Sequence, residues 1–416
     1  MKDNNSTLAK ALIAAFGALV VGLNLGGISG AIDLIENEFA LTALAKGFVT
    51  GSLMIGCLIG ALTGGSMSDK FGRKPMLLVS ALLLGLAAAG CWFVAPAAIY
   101  LVAYRFIGGL GVGVLSAVIP AYITEISPAE KRGTYVSLYQ LFVVIGILGA
   151  YTFNWAVGAE GSRWHLMLGL PLVFAAVDVV LLLFLEESPV WIDNRGKSKE
   201  KGASFGELFR GRIGWVVFLG SMLAFFQQIT GINVVINYAP GILSKLGIAG
   251  SNPLLQTVVI GIANLVFTII ALWLCDKFGR KTLLVTGCIG CFISLGYLVY
   301  AYSIPNPSSV GVLVAILAYI GFFALSLSPL MFVVTSEMYP SYIRGTAMAL
   351  STGISWACAF IVVQLYPWME QTLGTNIAFA IFAVLCLLAG LFIQFLIPET
   401  KGKSLEQIQK ELKLES

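Results

Sequence analysis

The sequence predicts an all-α polytopic membrane protein whose twelve transmembrane helices form two six-helix, pseudo-symmetric halves. Three observations predict it. Of the 416 residues, 58% are hydrophobic and only 11% are charged, whereas a soluble globular protein carries about 25% charged residues. Long uncharged runs such as Pro75–Ala98 can cross a bilayer core of about 30 Å as helices. Two charged motifs are also written twice, half a chain apart.

Polar breaks divide the apolar sequence into twelve predicted spans. They cover residues 9–33, 43–66, 76–95, 98–125, 134–157, 165–185, 212–238, 253–275, 282–302, 309–336, 345–368 and 375–397. Because the first apolar stretch is itself a full span, no cleavable signal peptide is predicted. The seven cysteines all fall in spans, where they predict helix packing rather than a disulfide framework.

The basic residues set the predicted orientation. If the N-terminus and the even-to-odd loops share one side, that side holds 21 of the 25 Lys and Arg residues. The positive-inside rule makes this side cytoplasmic, together with both termini. The net charge of +4 therefore reflects topology, and no nucleic-acid partner is expected. We expect a monomer in the lipid bilayer of a cell membrane, inner or plasma.

Three matched signals indicate an internal duplication. The hexapeptide DKFGRK occupies 69–74 and 276–281. The pattern ExxPxxxRGT starts at Glu125 and again at Glu337, and Glu187 is matched by Glu399 at the same offset of 212 residues. Parallel repeats are typical of secondary transporters, which bind substrate near the midplane. The predicted organisation is an N-terminal half at 1–186, a cytoplasmic linker at 187–211, a C-terminal half at 212–397 and a cytoplasmic tail at 398–416.

Motifs for catalysis or ATP use are missing from the sequence. The glycine-rich run Gly108–Gly113 lies inside span four with no strand before it, which predicts close helix packing rather than nucleotide binding. There is no Walker sequence and no Ser/His/Asp or Cys/His set with catalytic meaning, and His165 is the only histidine. We therefore predict a protein that is not an enzyme and has no cofactor and no metal site.

Polar side chains inside the spans mark the candidate binding region, because they are costly in a bilayer. The predicted binding set is Gln140, Gln227, Gln228, Asn233, Asn237 and Asn264, with Trp356 placed to stack on a ring. Amides are uncharged donors and acceptors, which suits a neutral polyhydroxylated solute. Most lie in span seven around Thr230–Gly231, a predicted helix interruption. The competing interpretation is that they only hold helices together.

Two charged groups also lie inside predicted spans. Arg105 in span four needs a partner or a water-filled cavity. Asp178 in span six is either a titratable coupling site or a group bonded to a neighbouring helix or close to the cytoplasmic interface. The sequence does not place the face of the helix on which it lies.

In combination these motifs resemble the sugar porter family of the major facilitator superfamily, which includes facilitative glucose transporters and bacterial sugar–proton symporters. The likeness covers nearly the whole chain: the loop with DKFGRK, the pair Tyr104-Arg105, PxYxxE followed by RG at 120–133, QQxxGxN at 227–233 and PETKG at 398–402. The resemblance implies the major facilitator fold and alternating access. It also implies sugar contacts from Gln140, Gln227, Gln228, Asn233, Asn264 and Trp356.

The sequence departs from the family pattern at informative positions. Family symporters carry an aspartate in span one paired with the span-four arginine, whereas Asn24 stands there in this chain, as in facilitative members. Phe332 takes the place of a sugar-contacting tryptophan, and Asn237 that of an aromatic residue. We therefore expect monosaccharide uniport. Proton symport through another site such as Asp178, a polyol or inositol carrier and a non-transporting sugar sensor are the alternatives.

The duplicated charges imply a cytoplasmic gate that locks the inner side while the carrier faces outward. The predicted gate residues are Asp69, Arg73, Lys74, Glu125, Arg132 and Glu187 in the first half and Asp276, Arg280, Lys281, Glu337, Arg344 and Glu399 in the second. The two aspartates can favour helix N-termini in the opposite half, and the other charges are expected to pair near the two matched glutamates. The competing interpretation is that these charges only fix topology.

Overall fold

A computed structural model describes residues 2–93, 96–128, 131–158, 163–194, 205–244, 252–305, 307–340, 343–401, 403, 407–408 and 410. Within these residues the chain is helical and contains no strand. Twelve helical segments are long and apolar enough to cross a membrane, which confirms the predicted all-α, twelve-span fold. Part of the predicted linker, 195–204, and most of the predicted tail lie outside the described residues.

The helices follow the predicted order, with ends that differ by a few residues. The spans formed by one helix are Lys2–Phe39, Ala43–Phe71, Arg73–Phe93, Ala98–Ile126, Arg132–Gly158, Pro253–Lys277, Arg280–Ser303, Arg344–Thr372 and Thr375–Leu396. The interrupted spans are span six, Trp164–Gly169 with Pro171–Leu183; span seven, Gly211–Ile229 with Ile232–Ser244; and span ten, Ser309–Leu325 with Leu327–Met338. A short helix, Pro189–Asn194, and a 3₁₀ turn, Phe205–Phe209, lie in the predicted linker.

Backbone contacts group the chain into two compact units. The first unit contains Met1–Ser198, Ile236–Leu265 and Val363–Trp368, and the second contains Lys199–Val235, Val266–Val362 and Met369–Ser416. This grouping differs from the duplicated halves because two segments of the C-terminal half, Ile236–Leu265 and Val363–Trp368, belong to the first unit. For example, Gln364 Nε2 donates a hydrogen bond to Leu44 O at 2.9 Å.

Glycines set how closely spans two and four approach in the first unit. A Cβ atom placed on Gly109 would lie 2.0 Å from Leu53 O, and one on Gly56 would lie 2.2 Å from Phe106 O. These distances leave no room for a side chain, so only small residues allow the two backbones to meet. The glycine-rich run of span four is a packing surface, as its position predicted.

Gly109→Ala is expected to destabilise the protein by about 1–3 kcal/mol, because the added methyl group overlaps backbone that cannot rotate away. Thermal unfolding of the detergent-solubilised protein measures this as a lower Tm. Gly65→Ala is the matched control, since a Cβ there meets no atom within 4 Å. An equal fall in Tm for both variants would contradict the packing explanation.

Candidate functional site

Span seven breaks within its amide-rich stretch, where the sequence predicts an interruption. The first helix ends at Ile229 and the second begins at Ile232. Between them Gly231 has a φ of +94°, a conformation that favours glycine. A Cβ atom at Gly231 would also lie 2.8 Å from the ring of Phe382 in span twelve. The break is therefore fixed both by glycine geometry and by the packing of a neighbouring helix.

An amide and hydroxyl cluster surrounds this break in the second unit. Gln228 Nε2 donates to Ser355 Oγ at 2.9 Å and to Gln227 Oε1 at 3.2 Å. Asn233 Nδ2 donates to Gln228 Oε1 across the break. The cluster thus joins the two helices of span seven to each other and to span eleven. The sequence predicted the three amides but not Ser355, whose only available signal was its place beside Trp356.

Span ten is also broken, which the sequence prediction of one span over 309–336 missed. Ser326 separates its two helices with φ −128° and ψ −86°. Gln227 Nε2 donates to Leu327 O at 3.1 Å and to Ser328 O at 3.4 Å. Pro329 lies in the first turn of the second helix, a position that proline tolerates. This proline was the signal that the sequence offered for the break.

The other predicted binding residues are divided between the two units. In the second unit Trp356 is half-buried in span eleven, and Phe332 is 41% exposed on the second helix of span ten. In the first unit Gln140 and Asn264 are half-buried, and Asn237 is 2% exposed. Within the second unit, the structure bonds Gln228 to both Gln227 and Asn233.

Arg105 is buried in the first unit and is held by backbone carbonyls. Its Nε donates to Val49 O and its Nη2 donates to Thr50 O, both at 2.9 Å. In the part of the chain that the structure describes, it forms no ion pair. Asn24 lines the same small cavity and donates through Nδ2 to Val20 O at 2.9 Å. The cavity measures about 10 Å³, on the order of the space that one water molecule needs.

Asp178 lies in an apolar position between spans one, four and six. It is 0% exposed, and neither carboxyl oxygen has a hydrogen-bond partner among the described residues. A Cβ atom on Gly17 would lie 3.2 Å from Asp178 Oδ2 and 3.3 Å from Ile119 Cδ1. The sequence left open whether this carboxyl group bonds to a neighbouring helix, and no such bond occurs within the described residues.

The first copy of the charged motif forms a compact network in the first unit. Glu187 accepts hydrogen bonds from the backbone N–H groups of Arg73 and Lys74, at 3.0 and 3.2 Å. The Arg73 guanidinium contacts Glu125 and Asp69, each at 2.7 Å. Glu187 therefore sits at the N-terminus of the span-three helix, where a negative charge is favourable, and the arginine makes the side-chain ion pairs.

The second copy repeats the glutamate contact, and its arginine–glutamate pair is longer than that of the first copy. Glu399 accepts from the backbone N–H groups of Arg280 at 2.9 Å and Lys281 at 3.2 Å. Arg280 Nη2 lies 3.6 Å from Glu337 Oε1, and Arg344 Nε donates to Tyr339 O at 3.3 Å. The side chains of two further predicted gate residues, Arg132 and Asp276, lie outside the described part of the structure.

A further ion pair lies just after span six. Glu186 in this segment pairs with Lys10, and this hydrogen bond and the lysine charge lower the pKa of Glu186. Glu186 is fully exposed to solvent, so the pair is a surface contact of small energetic weight. The sequence did not predict it.

Twelve spans, a duplicated charged motif and uncharged polar groups clustered at broken helices define a membrane transporter, not an enzyme. The family described as "Sugar (and other) transporter" matches residues 10–207 and 193–412. The chain belongs to this sugar porter family of the major facilitator superfamily.

Individual relatives are similar over nearly their whole length. The D-xylose-proton symporter of Escherichia coli K12 is 32% identical, over 96% of this chain and 94% of the relative. The glucose transporter GlcP of Staphylococcus epidermidis is 33% identical, over 97% and 96%. The inward open structure of the E. coli xylose transporter XylE matches with a TM-score of 0.83 at 30% identity, over 96% of this chain and 98% of that one. These matches show the major facilitator fold.

Proposed function

We propose that this protein carries monosaccharides, hexoses or pentoses, across a cell membrane by alternating access and down their concentration gradient. The observation that carries the proposal is the uncharged cluster of Gln228, Asn233 and Ser355 at the break of span seven. Amides and hydroxyls match the donors and acceptors of a neutral sugar without adding charge. Relatives named as xylose and glucose transporters support the same class of substrate.

Each compact unit by itself contains residues that are proposed to contact sugar. In the second unit they are Gln228, Asn233, Phe332 and Trp356, with the two aromatic rings available for stacking. In the first unit they are Gln140, Asn237 and Asn264. A few hydrogen bonds of about 0.5–1.5 kcal/mol each give millimolar affinity. This affinity is weak enough for the sugar to leave on the far side.

Asn24 is the reason for proposing uniport. An amide cannot take up or release a proton near neutral pH, so the cavity that Asn24 and Arg105 line offers no titrating carboxylate. In place of a carboxylate, the Arg105 guanidinium has the backbone carbonyls of Val49 and Thr50 as hydrogen-bond acceptors. The proposal also places both termini in the cytoplasm, as the distribution of basic residues favours, and it treats the carrier as a monomer.

Proton symport through Asp178 is the second candidate, and a specific observation favours it. The Asp178 carboxyl group is fully buried with no hydrogen-bond partner among the described residues. A buried, unpaired carboxylate costs several kcal/mol, and binding a proton removes that cost. Relatives named as arabinose-proton and D-xylose-proton symporters support this candidate.

Uptake into proteoliposomes tests the substrate class. We expect saturable uptake of labelled D-glucose or D-xylose with millimolar half-saturation. Sorbitol and myo-inositol, added as unlabelled competitors, should inhibit poorly. Uptake of a polyol or inositol without uptake of either sugar would indicate a polyol carrier instead of a sugar carrier. Sugar binding without any uptake would indicate a sensor.

The duplicated charges are proposed to stabilise the closed cytoplasmic side. Arg344, which donates to Tyr339 O in this structure, is proposed to join the ion pairs of the closed state. Arg344→Ala should then raise the occupancy of inward-open states and lower sugar uptake several-fold, because a network of ion pairs biases a conformational equilibrium more than a single exposed pair of up to about 1 kcal/mol. A cysteine introduced at the inner gate reports the change as faster thiol labelling. Arg212→Ala is the control, since Arg212 is exposed and outside the repeated motifs. Equal labelling rates in the native and Arg344→Ala chains would rule out the lock.

A further inference from the structure

Arg105 places a full positive charge inside the membrane-spanning part of the first unit. The residue is only 4% exposed. Among the described residues, the titratable side chains that interact with its guanidinium are Cys57, Cys91 and Tyr238, and none of them is a carboxylate. A buried cation without an opposite charge is strongly unfavourable, because it has lost the water that would solvate it. The charge of Arg105 therefore needs a counter-ion that the described side chains do not supply.

Two backbone carbonyls satisfy only part of this guanidinium. They are Val49 O, which accepts from Nε, and Thr50 O, which accepts from Nη2. A guanidinium has five N–H groups, and the remaining nitrogen, Nη1, has no hydrogen-bond partner among the described residues. Carbonyl oxygens carry only partial charges, so two of them do not neutralise a full cation. Arg105 therefore keeps both N–H donors and positive charge for a ligand.

The small cavity beside Arg105 is lined by groups that suit an anion. Its polar side chains are Arg105, Asn24, Tyr104 and Cys91, and the rest of its lining is apolar and comes from spans one, three and six. Each of these four side chains can donate a hydrogen bond, and no aspartate or glutamate is among the lining residues. A cavity surrounded by donors and one cation, without a carboxylate, favours a negatively charged ligand.

The size of the cavity selects among anions. Its volume of about 10 Å³ is on the order of the space that one water molecule needs. Chloride is only slightly larger than a water molecule, whereas sulfate, phosphate and organic carboxylates are several times larger. Small adjustments of the lining side chains accommodate the first but not the others. The cavity therefore fits a monatomic anion.

Asn24 gives the cavity a second strong donor in place of a fixed negative charge. Its side chain has the shape of an aspartate, but its amide is uncharged. Nδ2 donates one hydrogen bond, to Val20 O at 2.9 Å, and an amide nitrogen has a second N–H to offer. A carboxylate at this position would neutralise Arg105 itself. With an amide there, neutralisation falls to an ion taken from solution.

We infer that the cavity lined by Arg105 and Asn24 binds chloride as the counter-ion of Arg105. Charge-assisted hydrogen bonds from the guanidinium and the amide hold the ion. The inference goes beyond the proposed sugar transport, since the ion neutralises a buried charge of the folded chain. Chloride should therefore stabilise the protein whether or not a sugar is present.

Thermal unfolding of the detergent-solubilised full chain tests this site. Chloride, titrated against gluconate at constant ionic strength, should raise the Tm along a saturating curve by about 2 °C or more, because a ligand of the folded state stabilises that state. Bromide should replace chloride, whereas sulfate should give no saturating rise. An unchanged Tm between gluconate and chloride would overturn the inference. A saturating rise in sulfate equal to that in chloride would also overturn it, because it would show a general effect of salt.

Two substitutions of Asn24 test the location of the ion. Asn24→Asp supplies a tethered carboxylate, so its Tm response to chloride should fall at least about five-fold. Asn24→Leu keeps a similar shape without a donor, so it should lose the response and have a lower Tm than the native chain in chloride. It remains informative if Asn24→Asp does not fold. A native chloride response in either variant would place the ion elsewhere and contradict the inference.

Asn252→Asp is the matched control for the introduced charge. Asn252 is exposed at the start of span eight, where its Oδ1 accepts a hydrogen bond from Leu254 N at 2.9 Å. An aspartate caps a helix as well as an asparagine does, so this variant should keep the native response to chloride. Loss of the response in Asn252→Asp would show that any added negative charge suffices, which would overturn the site at Arg105. Because no sugar is used, the outcome does not depend on the proposed transport activity.

Discussion

Gln228→Ala is expected to lower sugar uptake at subsaturating concentration by about 10–100-fold. Gln228 is the centre of the cluster, with Ser355 Oγ at 2.9 Å, Gln227 Oε1 at 3.2 Å and a bond accepted from Asn233. Alanine removes the proposed sugar contact of Gln228 and also the bonds that position Asn233 and Ser355, each worth about 0.5–1.5 kcal/mol, and 1.4 kcal/mol is tenfold in affinity. The loss should appear mainly as a higher half-saturation concentration in initial-rate uptake.

Gln394→Ala is the matched control, because Gln394 is an exposed amide on span twelve outside the cluster. It should transport like the native chain. The two variants together separate loss of a binding group from a general effect of losing an amide in the membrane region. If Gln228→Ala kept native half-saturation and maximal rate, the cluster would be helix packing and the proposed sugar site would be wrong.

Asn24→Asp is expected to make transport strongly dependent on pH. The new carboxylate would line the same cavity as the Arg105 guanidinium, and breaking such a pair once it is buried is costly because it leaves an uncompensated charge. Protonation of the aspartate would release the pair, so occupancy by a proton would favour one arrangement of the helices over another. Initial rates between pH 5.5 and 8 should vary several-fold, against a nearly flat profile for the native chain.

The same substitution in an Asp178→Asn background isolates the new carboxylate. We expect the pH dependence of Asn24→Asp to survive there, because it arises at the Arg105 cavity and not at Asp178. Asp178→Asn alone should leave the native rate nearly unchanged, since the buried carboxyl group has no hydrogen-bond partner among the described residues to lose. Loss of the pH response in the double variant would place proton sensing at Asp178 instead.

The sequence was sufficient for the features that depend on local composition and repetition. Apolar length predicted twelve spans, and the Thr230–Gly231 pair within an amide-rich stretch predicted the break of span seven. The glycine-rich run of span four predicted close helix packing, and the structure identifies span two as its partner. Each of these signals is contained in a few consecutive residues, and each follows from helix geometry alone.

Hydrogen bonds between distant helices were not predictable in this way. The partners of Gln227 are Leu327 O and Ser328 O, about 100 residues away, and backbone acceptors leave no mark in a side-chain pattern. In the sequence, Tyr319 is one more residue of an apolar span, and nothing there predicts that its hydroxyl donates a hydrogen bond to Thr230 O. Tertiary packing decides these contacts, and it bonds the side chain of Gln227, a predicted sugar ligand, to the backbone of span ten.

The charged repeats illustrate the same limit. The duplication identified Glu187 and Glu399 as equivalent residues. It did not show that both accept hydrogen bonds from backbone N–H groups, at the start of span three and of span nine respectively. A glutamate matched to a helix N-terminus and one matched to an arginine side chain look alike in sequence. The unequal ion pairs, 2.7 Å for Arg73–Glu125 and 3.6 Å for Arg280–Glu337, are likewise a result of packing.

Simultaneous recording of sugar uptake and internal pH in proteoliposomes tests the central claim most directly. Native protein, supplied with the sugar that it transports and with a pH gradient imposed or omitted, should bring internal and external sugar to equal concentration at the same rate in both cases. The internal pH should not change with sugar entry. Accumulation of sugar above the external concentration when the outside is acidic, accompanied by acidification of the lumen, would contradict uniport and establish proton symport.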